Sequence, residues 1–252
     1  MPAAIFKRLG LLGVLALMLV ATPSSAMLVQ PVFLDMRFTG VQSSGGIRVV
    51  NDRNRPVSVE VTVSSLEIPE KGAAVFTPIE GEDFLIFPAV ANIPPNGTQI
   101  FRIRWVGDPA LAEGKMFAFT TSELPIDIED TGGAAVQLLY AIQTVVAIGP
   151  AGSRAQIEPV AIRRSELADG VKGVTITFEN TGSLHGQVNS STITVSTPSG
   201  WSHRMEPADV SNAVGLGLVP ANSRREMFLA IADLPETGDL RVVADVPRAP
   251  LI

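Results

Sequence analysis

Short apolar runs that alternate with polar residues make up most of this sequence, and Gly, Pro and Asn separate them. In "GIRVVNDRNRPVSVEVTV", for example, two alternating runs flank a polar turn at residues 51–55. Almost none of the sequence after residue 26 has the 3.6-residue period of an amphipathic helix. Alternation with a period of two, interrupted by turn residues roughly every 8–12 positions, predicts an all-β protein of short strands.

A break at "GPAGS", residues 149–153, divides this pattern into two parts. The parts share a weak repeat, in which "VVNDRNRPVSVEV" is echoed by "TFENTGSLHGQVN" and "PPNGTQIFRI" by "PANSRREMFLA". Each part has about the size of one immunoglobulin-like sandwich, roughly 100 residues. We therefore predict two immunoglobulin-like β-sandwich domains, at residues 27–149 and 155–252. The chain has 0 Cys, so its stability must come from core burial.

The first 26 residues have the features of a secretory signal peptide. Lys7 and Arg8 precede an uncharged apolar core, and small residues follow at Ser24 and Ala26. The core is shorter than the ~20 residues that span a bilayer, and the small-x-small end is typical of a cleavage site. We expect a cleaved leader rather than an uncleaved anchor, and therefore an exported protein without stable membrane insertion.

Composition argues against several classes of function. The chain carries 19 Lys and Arg against 25 Asp and Glu, a formal net charge of −6, whereas nucleic-acid binding needs clustered cations. His185 and His203 are the two histidines, and no nucleophile elbow, HExxH motif or phosphate-binding loop lies near them. The acidic runs "EGED" and "DIED" lack EF-hand spacing. We predict no enzymatic activity, no metal and no cofactor, and a protein partner.

One apolar run, "VQLLYAIQTVVAIG" at residues 136–149, is about twice as long as the others. As a single strand it would extend roughly 45 Å, against a usual strand of ~5–6 residues. Alternation would place Val136, Leu138, Tyr140 and Ile142 on one face, and Leu139, Ala141 and Gln143 on the other. Either both faces are buried within this protein, or one face is presented to a partner.

Three stretches around that run resemble a known family. In "IPPNGTQIFRIRW" a proline turn is followed by Gln99 and then Arg102, "FAFTTSELP" has Glu123 before Leu and Pro, and "VQLLYAIQT" is an alternating apolar strand. Their order and the two-domain β layout resemble the PapD-like periplasmic pilus chaperones. The resemblance covers nearly the whole mature chain and is strongest over residues 87–144.

This resemblance implies two immunoglobulin-like domains at an angle, with an interdomain cleft, in a periplasmic protein. It implies a chaperone that binds and caps pilus or fimbria-like subunits by donor-strand complementation and delivers them for outer-membrane assembly. Pilin-like subunits would be the partners, and an outer-membrane usher is a candidate second partner. The donor strand would present Val136, Leu138, Tyr140 and Ile142. The alternative is a secreted immunoglobulin-like structural or adhesive module of a surface fibre.

The resemblance also implies an internal ion pair between Arg102 and Glu123. Asp239 of the second domain would join this pair and fix the interdomain angle. An exposed cross-strand pair worth ~0–1 kcal/mol is the alternative.

A carboxylate anchor is the last feature that the resemblance implies. Family members hold the terminal carboxylate of the subunit with an Arg of the first strand and a Lys near the end of the donor strand. Val145 or Ala147 stands in place of that Lys here. Arg37, slightly out of register with the family Arg, is the candidate anchor, and Arg154 is the alternative.

Overall fold

The structure is a computed structural model that describes residues 27–79, 83–125 and 138–247. Nearly every element in it is a β-strand. In the first half these are β1 (Met27–Gln30), β2 (Phe33–Arg37), β3 (Ser44–Asn51), β4 (Val57–Glu67), β5 (Val75–Pro78), β6 (Phe84–Phe87), β7 (Val90–Ile93), β8 (Thr98–Trp105), β9 (Lys115–Glu123) and β10 (Ala141–Gly149). In the second half they are β11 (Ile157–Glu166), β12 (Lys172–Asn180), β13 (Gly186–Gln187), β14 (Thr192–Ser196), β15 (Ser202–Met205), β16 (Leu218–Val219), β17 (Ser223–Ala230) and β18 (Arg241–Asp245).

Two sheets form the first half. One has the strand order β1-β3-β8-β6, and the other has the order β2-β10-β9-β4-β5, with β7 paired to β4 beside β5. All pairs are antiparallel except β2 with β10, which is parallel. The chain passes from the first sheet to the second between Gln30 and Phe33, around Pro31. Consecutive strands β1 and β2 therefore belong to opposite sheets of the sandwich.

The core between these sheets follows the alternation seen in the sequence. On β8, Phe101, Ile103 and Trp105 are buried, whereas the residues between them are exposed. The Phe84 ring packs edge-on against Trp105 and Phe119, with centroid distances of 5.1 Å and 5.0 Å. Such aromatic pairs contribute about 0.5–1.5 kcal/mol beyond the area that they bury. The period-two pattern thus produces a packed sandwich without disulfides.

The second half has its own core and three small sheets, with orders β11-β12-β17, β13-β16 and β15-β14-β18. It also contains one helix, α1 (Pro207–Val214), which the sequence pattern did not predict. Pro207 occupies the first helical position, and Glu206 and Asp209 form a capping box in which each side chain accepts a backbone N–H. These residues were the local signal for a helix start.

Each half contains a buried asparagine that ties a loop to a neighbouring strand end. The Nδ2 of Asn51 donates to the carbonyls of Arg55, Ile93 and Pro94, and that of Asn180 donates to the carbonyls of Leu184, Val219 and Pro220. Both Oδ1 atoms accept a backbone N–H two residues further along the chain. The weak sequence repeat therefore corresponds to one hydrogen-bonding device used twice.

The predicted all-β, two-sandwich fold class is confirmed. Among the described residues, no helix is long and apolar enough to cross a membrane. The predicted signal peptide lies outside the described residues, as do the acidic run "DIED" and most of "EGED".

Candidate functional site

Part of one edge of β10 is left open by the switch of the chain at Pro31. Strand β2 pairs with β10 from Val145 to Gly149, and the Thr144 hydroxyl donates to the Pro31 carbonyl at 2.9 Å. Before Thr144 the chain of β1 has moved to the other sheet. In the described part of the chain, residues 141–143 consequently pair with β9 alone. An open edge of this kind can accept a strand from another chain.

The hydrogen bonds around β10 show which backbone groups face the open edge. The Tyr140 carbonyl accepts the Glu123 N–H of β9, whereas the Val145 N–H donates to the Val32 carbonyl on the opposite side. In an antiparallel pair, successive residues direct their N–H and C=O groups alternately toward and away from the partner. The groups of Ala141 and Gln143 therefore point to the open edge, and those of Ile142 point to β9.

The predicted donor residues differ in their environments. Leu138 is 65% exposed and Tyr140 is 36% exposed, while Ile142 is partly buried against the core of the first sandwich. Val136 lies outside the described residues. The neighbouring Leu139 is also exposed. Two of the four residues thus form an apolar surface beside the open edge, and Ile142 links that surface to the protein's own core.

The long strand predicted for residues 136–149 is shorter in the structure. Strand β10 begins at Ala141, and the described residues 138–140 before it have no strand assignment. This prediction was therefore wrong about the length of the strand within the described residues. The apolar character that suggested one long strand belongs to two environments, a buried strand end and an exposed apolar segment.

Glu123 forms the buried ion pair of the first sandwich, but its partner is not Arg102. Arg53 Nη1 lies 2.5 Å from Glu123 Oε1, and Arg55 Nη2 lies 3.7 Å from the same oxygen. The Arg53 guanidinium also lies 5.2 Å from the centre of the Tyr140 ring, a cation–π distance. Arg53 therefore connects the buried carboxylate to the exposed apolar segment beside β10.

The predicted triad of Arg102, Glu123 and Asp239 is wrong. Arg102 is exposed because β8 directs its neighbours Phe101 and Ile103 into the core, and Glu123 belongs to the opposite sheet. Asp239 is exposed in the loop before β18. Neither residue pairs with Glu123 among the ion pairs of the described residues.

Other contacts join the two halves. An apolar cluster brings Leu218 of the second half against Leu66, Met116 and Ala147 of the first. Hydrogen bonds surround it, including the Gly114 N–H to the Ser183 carbonyl and the Glu226 N–H to the Glu70 carbonyl, both at 2.8 Å. Lys71 Nζ lies 3.3 Å from Glu226 Oε1. Apolar burial together with backbone hydrogen bonds thus performs the joining role that the triad was expected to have.

A cleft of about 790 Å³ lies between the halves. Phe33 and Asp35 of β2 line one side, and His185 and Arg154 belong to the other. Arg37, the predicted carboxylate anchor, is buried, and its Nη1 lies 2.5 Å from Asp35 Oδ1. The structure does not support Arg37 as the anchor because its guanidinium is already paired with a carboxylate. Arg154, the alternative, is exposed in the cleft.

His185 is 6% exposed, and its Nε2 lies 3.7 Å from Asp35 Oδ1. Its Nδ1 is buried without a hydrogen-bond partner. Burial lowers the pKa of His185, the Asp35 carboxylate raises it to a smaller extent, and Arg37 lowers it further. Nothing in the sequence around His185 indicates that its ring is buried. Asp35 belongs to the first half and His185 to the second, so the two meet only in the folded protein.

Two further observations concern ionisable side chains outside the cleft. They contain no group of three or more His, Cys, Asp or Glu side chains that could hold a metal ion. His203 Nδ1 lies 3.2 Å from Asp233 Oδ1, and its ring stacks on Trp201 in the second half. This arrangement includes no Ser, Thr or Cys nucleophile in the contacts described. We take the open edge of β10 and the adjoining apolar segment as the candidate site, because backbone groups and exposed apolar side chains lie together there.

The comparisons with solved structures identify a fold. A chaperone–tip adhesin complex of CFA/I fimbriae biogenesis matches with a TM-score of 0.54 and 10% identity, over 88% of this chain and 100% of the other. The class 5 fimbriae chaperone CfaA matches with a TM-score of 0.52 and 12% identity, again over 88% and 100%. This chain has the PapD-like fimbrial chaperone fold. The CsuC–CsuE chaperone–tip adhesion subunit pre-assembly complex of Acinetobacter baumannii also matches the PapD-like fold of this chain. The TM-score is 0.51 at 12% identity, over 87% of this chain and 98% of the other.

Sequence comparison adds no closer relative. No protein-family model and no curated protein matches this chain. At identities of 10–12% the PapD-like fold is what the solved structures share with it. Function must therefore be argued from the site.

Proposed function

We propose that this protein is a periplasmic chaperone that captures pilus or fimbria-like subunits by strand addition at the open edge of β10. The observation that carries the proposal is that Ala141 and Gln143 direct their backbone groups to an edge that β2 leaves uncovered. Exposed Leu138, Leu139 and Tyr140 adjoin that edge. Backbone groups would supply affinity for any extended strand, and the apolar side chains would fill a groove in the subunit.

Burial of the exposed apolar side chains would supply part of the free energy of capture, and the backbone hydrogen bonds of the added strand would supply the rest. Full burial of a large apolar side chain contributes ~1.5–3 kcal/mol, so Leu138 and Tyr140 together would contribute roughly 3–6 kcal/mol before association costs. Val136 was also predicted as a donor, and it remains part of the proposal. Ile142 is the least available of the three described donor residues because it packs partly against the protein's own core.

The related folds support this role. Structures with this fold include a chaperone–tip adhesin complex, the CsuC–CsuE pre-assembly complex and the SafA pilin with the SafB chaperone. By extension, this chain would bind a pilin-like subunit in the periplasm without cofactor or catalysis. It would pass the subunit to an outer-membrane usher.

The alternative function, a structural or adhesive module of a surface fibre, has less support. Such a module would need an extension free to complete its neighbour. Residues 27–30 and 33–37 are instead the paired strands β1 and β2 of this protein's first sandwich. A fibre component would also assemble with itself, which the following experiment would detect.

The test is co-purification of the tagged mature protein with subunits from its own periplasm, with the polypeptides identified by mass. We expect one small β-rich exported subunit at a one-to-one ratio. Leu138→Asp with Tyr140→Asp should abolish its recovery, because two charges would enter an apolar groove. Val243→Asp is the matched control, since Val243 is also highly exposed but lies in the second half. Recovery of the protein alone or as its own polymer would contradict the proposal, as would equal recovery with the double variant.

A further inference from the structure

The outward face of the sheet β1-β3-β8-β6 is unusually basic for this protein. Arg102 and Arg104 lie on β8 and Arg48 on β3, and all three are exposed. The four strands of this sheet contain no Asp or Glu, although the whole chain has a net charge of −6. None of the three arginines appears in the ion pairs of the described residues. We call these three residues, with the apolar neighbours below, the arginine face.

Exposed apolar side chains adjoin the three arginines. Phe87 is 71% exposed and pairs across the sheet with Arg102, and exposed Leu85 pairs with Arg104. Exposed Ile100 pairs in the same way with Arg48. Single exposed apolar residues are common on proteins, but a continuous group beside unpaired charges is typical of an interaction surface.

Arg102 is flanked by apolar groups on both sides. Its cross-strand neighbour on β3 is Gly46, where an added Cβ would meet the Ile100 side chain at 3.3 Å. The Ile100 side chain therefore lies close to the bare backbone at Gly46. Phe87 stands on the opposite side of Arg102. A partner carboxylate that reached the guanidinium could thus be accompanied by apolar contacts on either side.

We propose that the arginine face docks an acidic, apolar segment of a second protein. The unpaired guanidinium groups would bind carboxylates, with the bidentate geometry that arginine favours, and Phe87 and Leu85 would cover apolar side chains. The face lies on the sheet opposite β10, so it would remain free while the β10 edge is occupied. The proposal does not depend on subunit capture and would stand if that function were disproved.

Charge favours a protein segment over a lipid surface. An anionic bilayer is a large charged plane, and it repels a protein whose net charge is −6 even where a local patch attracts it. A short acidic segment interacts mainly with charges within a Debye length, about 8–10 Å, and so feels the arginine face.

The test is an NMR titration of the ¹⁵N-labelled mature protein with two synthetic peptides. One alternates Glu with Leu and Phe, and the other has Gln in place of each Glu. We expect the Glu peptide to shift the amides of Arg48, Arg102 and Phe87 and to bind less tightly as salt is raised. The Gln peptide should bind at least about tenfold more weakly, because it lacks the carboxylates.

Charge-reversed variants complete the experiment. Arg102→Glu with Arg104→Glu should weaken binding of the Glu peptide at least about tenfold, and Arg102→Gln with Arg104→Gln should do so by a smaller factor. Arg241→Glu, an exposed arginine of the second half, is the control and should bind normally. No shifts up to about 1 mM peptide, equal binding of both peptides, or shifts confined to other surfaces would overturn the proposal. Binding of this face to phosphatidylglycerol–phosphatidylethanolamine vesicles but not to the Glu peptide would also overturn it.

Discussion

Proline substitutions along β10 separate folding from capture. The Ala141 N–H points to the open edge, so Ala141→Pro removes no hydrogen bond to β9, and we expect it to cost less than about 1 kcal/mol of unfolding free energy. Ile142 is paired with Thr121 of β9 and directs its N–H toward it. Ile142→Pro should therefore destabilise the first sandwich by about 3 kcal/mol or more. Moving the proline by one residue along β10 should therefore change the property that is lost, from subunit capture to the stability of the first sandwich.

Capture should show the opposite order of sensitivity. In Ala141→Pro the incoming strand loses one backbone hydrogen bond, about 1 kcal/mol, and meets the proline ring on the pairing edge. We expect recovery of the subunit to fall at least about tenfold, with the urea midpoint nearly unchanged. Ala141→Ser is the control, because it keeps the N–H. Normal capture by the proline variant, or unfolding of Ala141→Pro to the same extent as Ile142→Pro, would refute the assignment of the open edge.

Three further predictions concern stability. Arg53→Ala with Arg55→Ala should lower the free energy of unfolding by about 3–5 kcal/mol, since both cations near the buried Glu123 carboxylate are removed. Adding Glu123→Leu to that pair of substitutions should recover most of the loss in urea titrations, because no buried charge then remains. Equal losses in the two variants would contradict this. Burial lowers the pKa of His185, so the folded state resists protonation. As pH falls below about 6.5, the unfolded chain takes up a proton at this histidine that the folded chain does not, so the free energy of unfolding should decline. His185→Gln should remove that part of the decline. An unchanged dependence of the unfolding free energy on pH in this variant would refute the prediction. Asn180→Asp should lower the free energy of unfolding by about 3 kcal/mol, because a carboxylate oxygen would face the three carbonyls that the Nδ2 group now contacts. A variant as stable as the wild type would show that these hydrogen bonds are dispensable.

Local alternation was enough to predict an all-β fold of short strands, and the same alternation is seen in the burial of β8. The repeated sequence around Asn51 and Asn180 corresponds to equivalent hydrogen-bonding arrangements. The helix α1 was missed although Pro207, Glu206 and Asp209 carry a start signal. The Asp35–Arg37 pair was also available from sequence, because residues two apart on a strand share a face.

Long-range pairing explains what could not be predicted. Glu123 is 70 residues from Arg53 and is joined to it only through the folded sandwich. The open edge of β10 depends on where β2 starts, more than a hundred residues earlier in the chain. The sequence of residues 136–149 does not indicate that, among the described residues, Ala141 and Gln143 pair with β9 on one side only. The resemblance to the PapD-like family suggested the strand, and the pairing of the sheet located its free groups.

Amide hydrogen exchange at β10, with and without a co-purified subunit, tests the central claim most directly. In the free protein the Ala141 and Gln143 amides should exchange quickly and the Ile142 amide slowly, because only the last faces β9. On binding, Ala141 and Gln143 should become as protected as Ile142. A bound subunit that leaves both amides in fast exchange would show that capture does not use this edge.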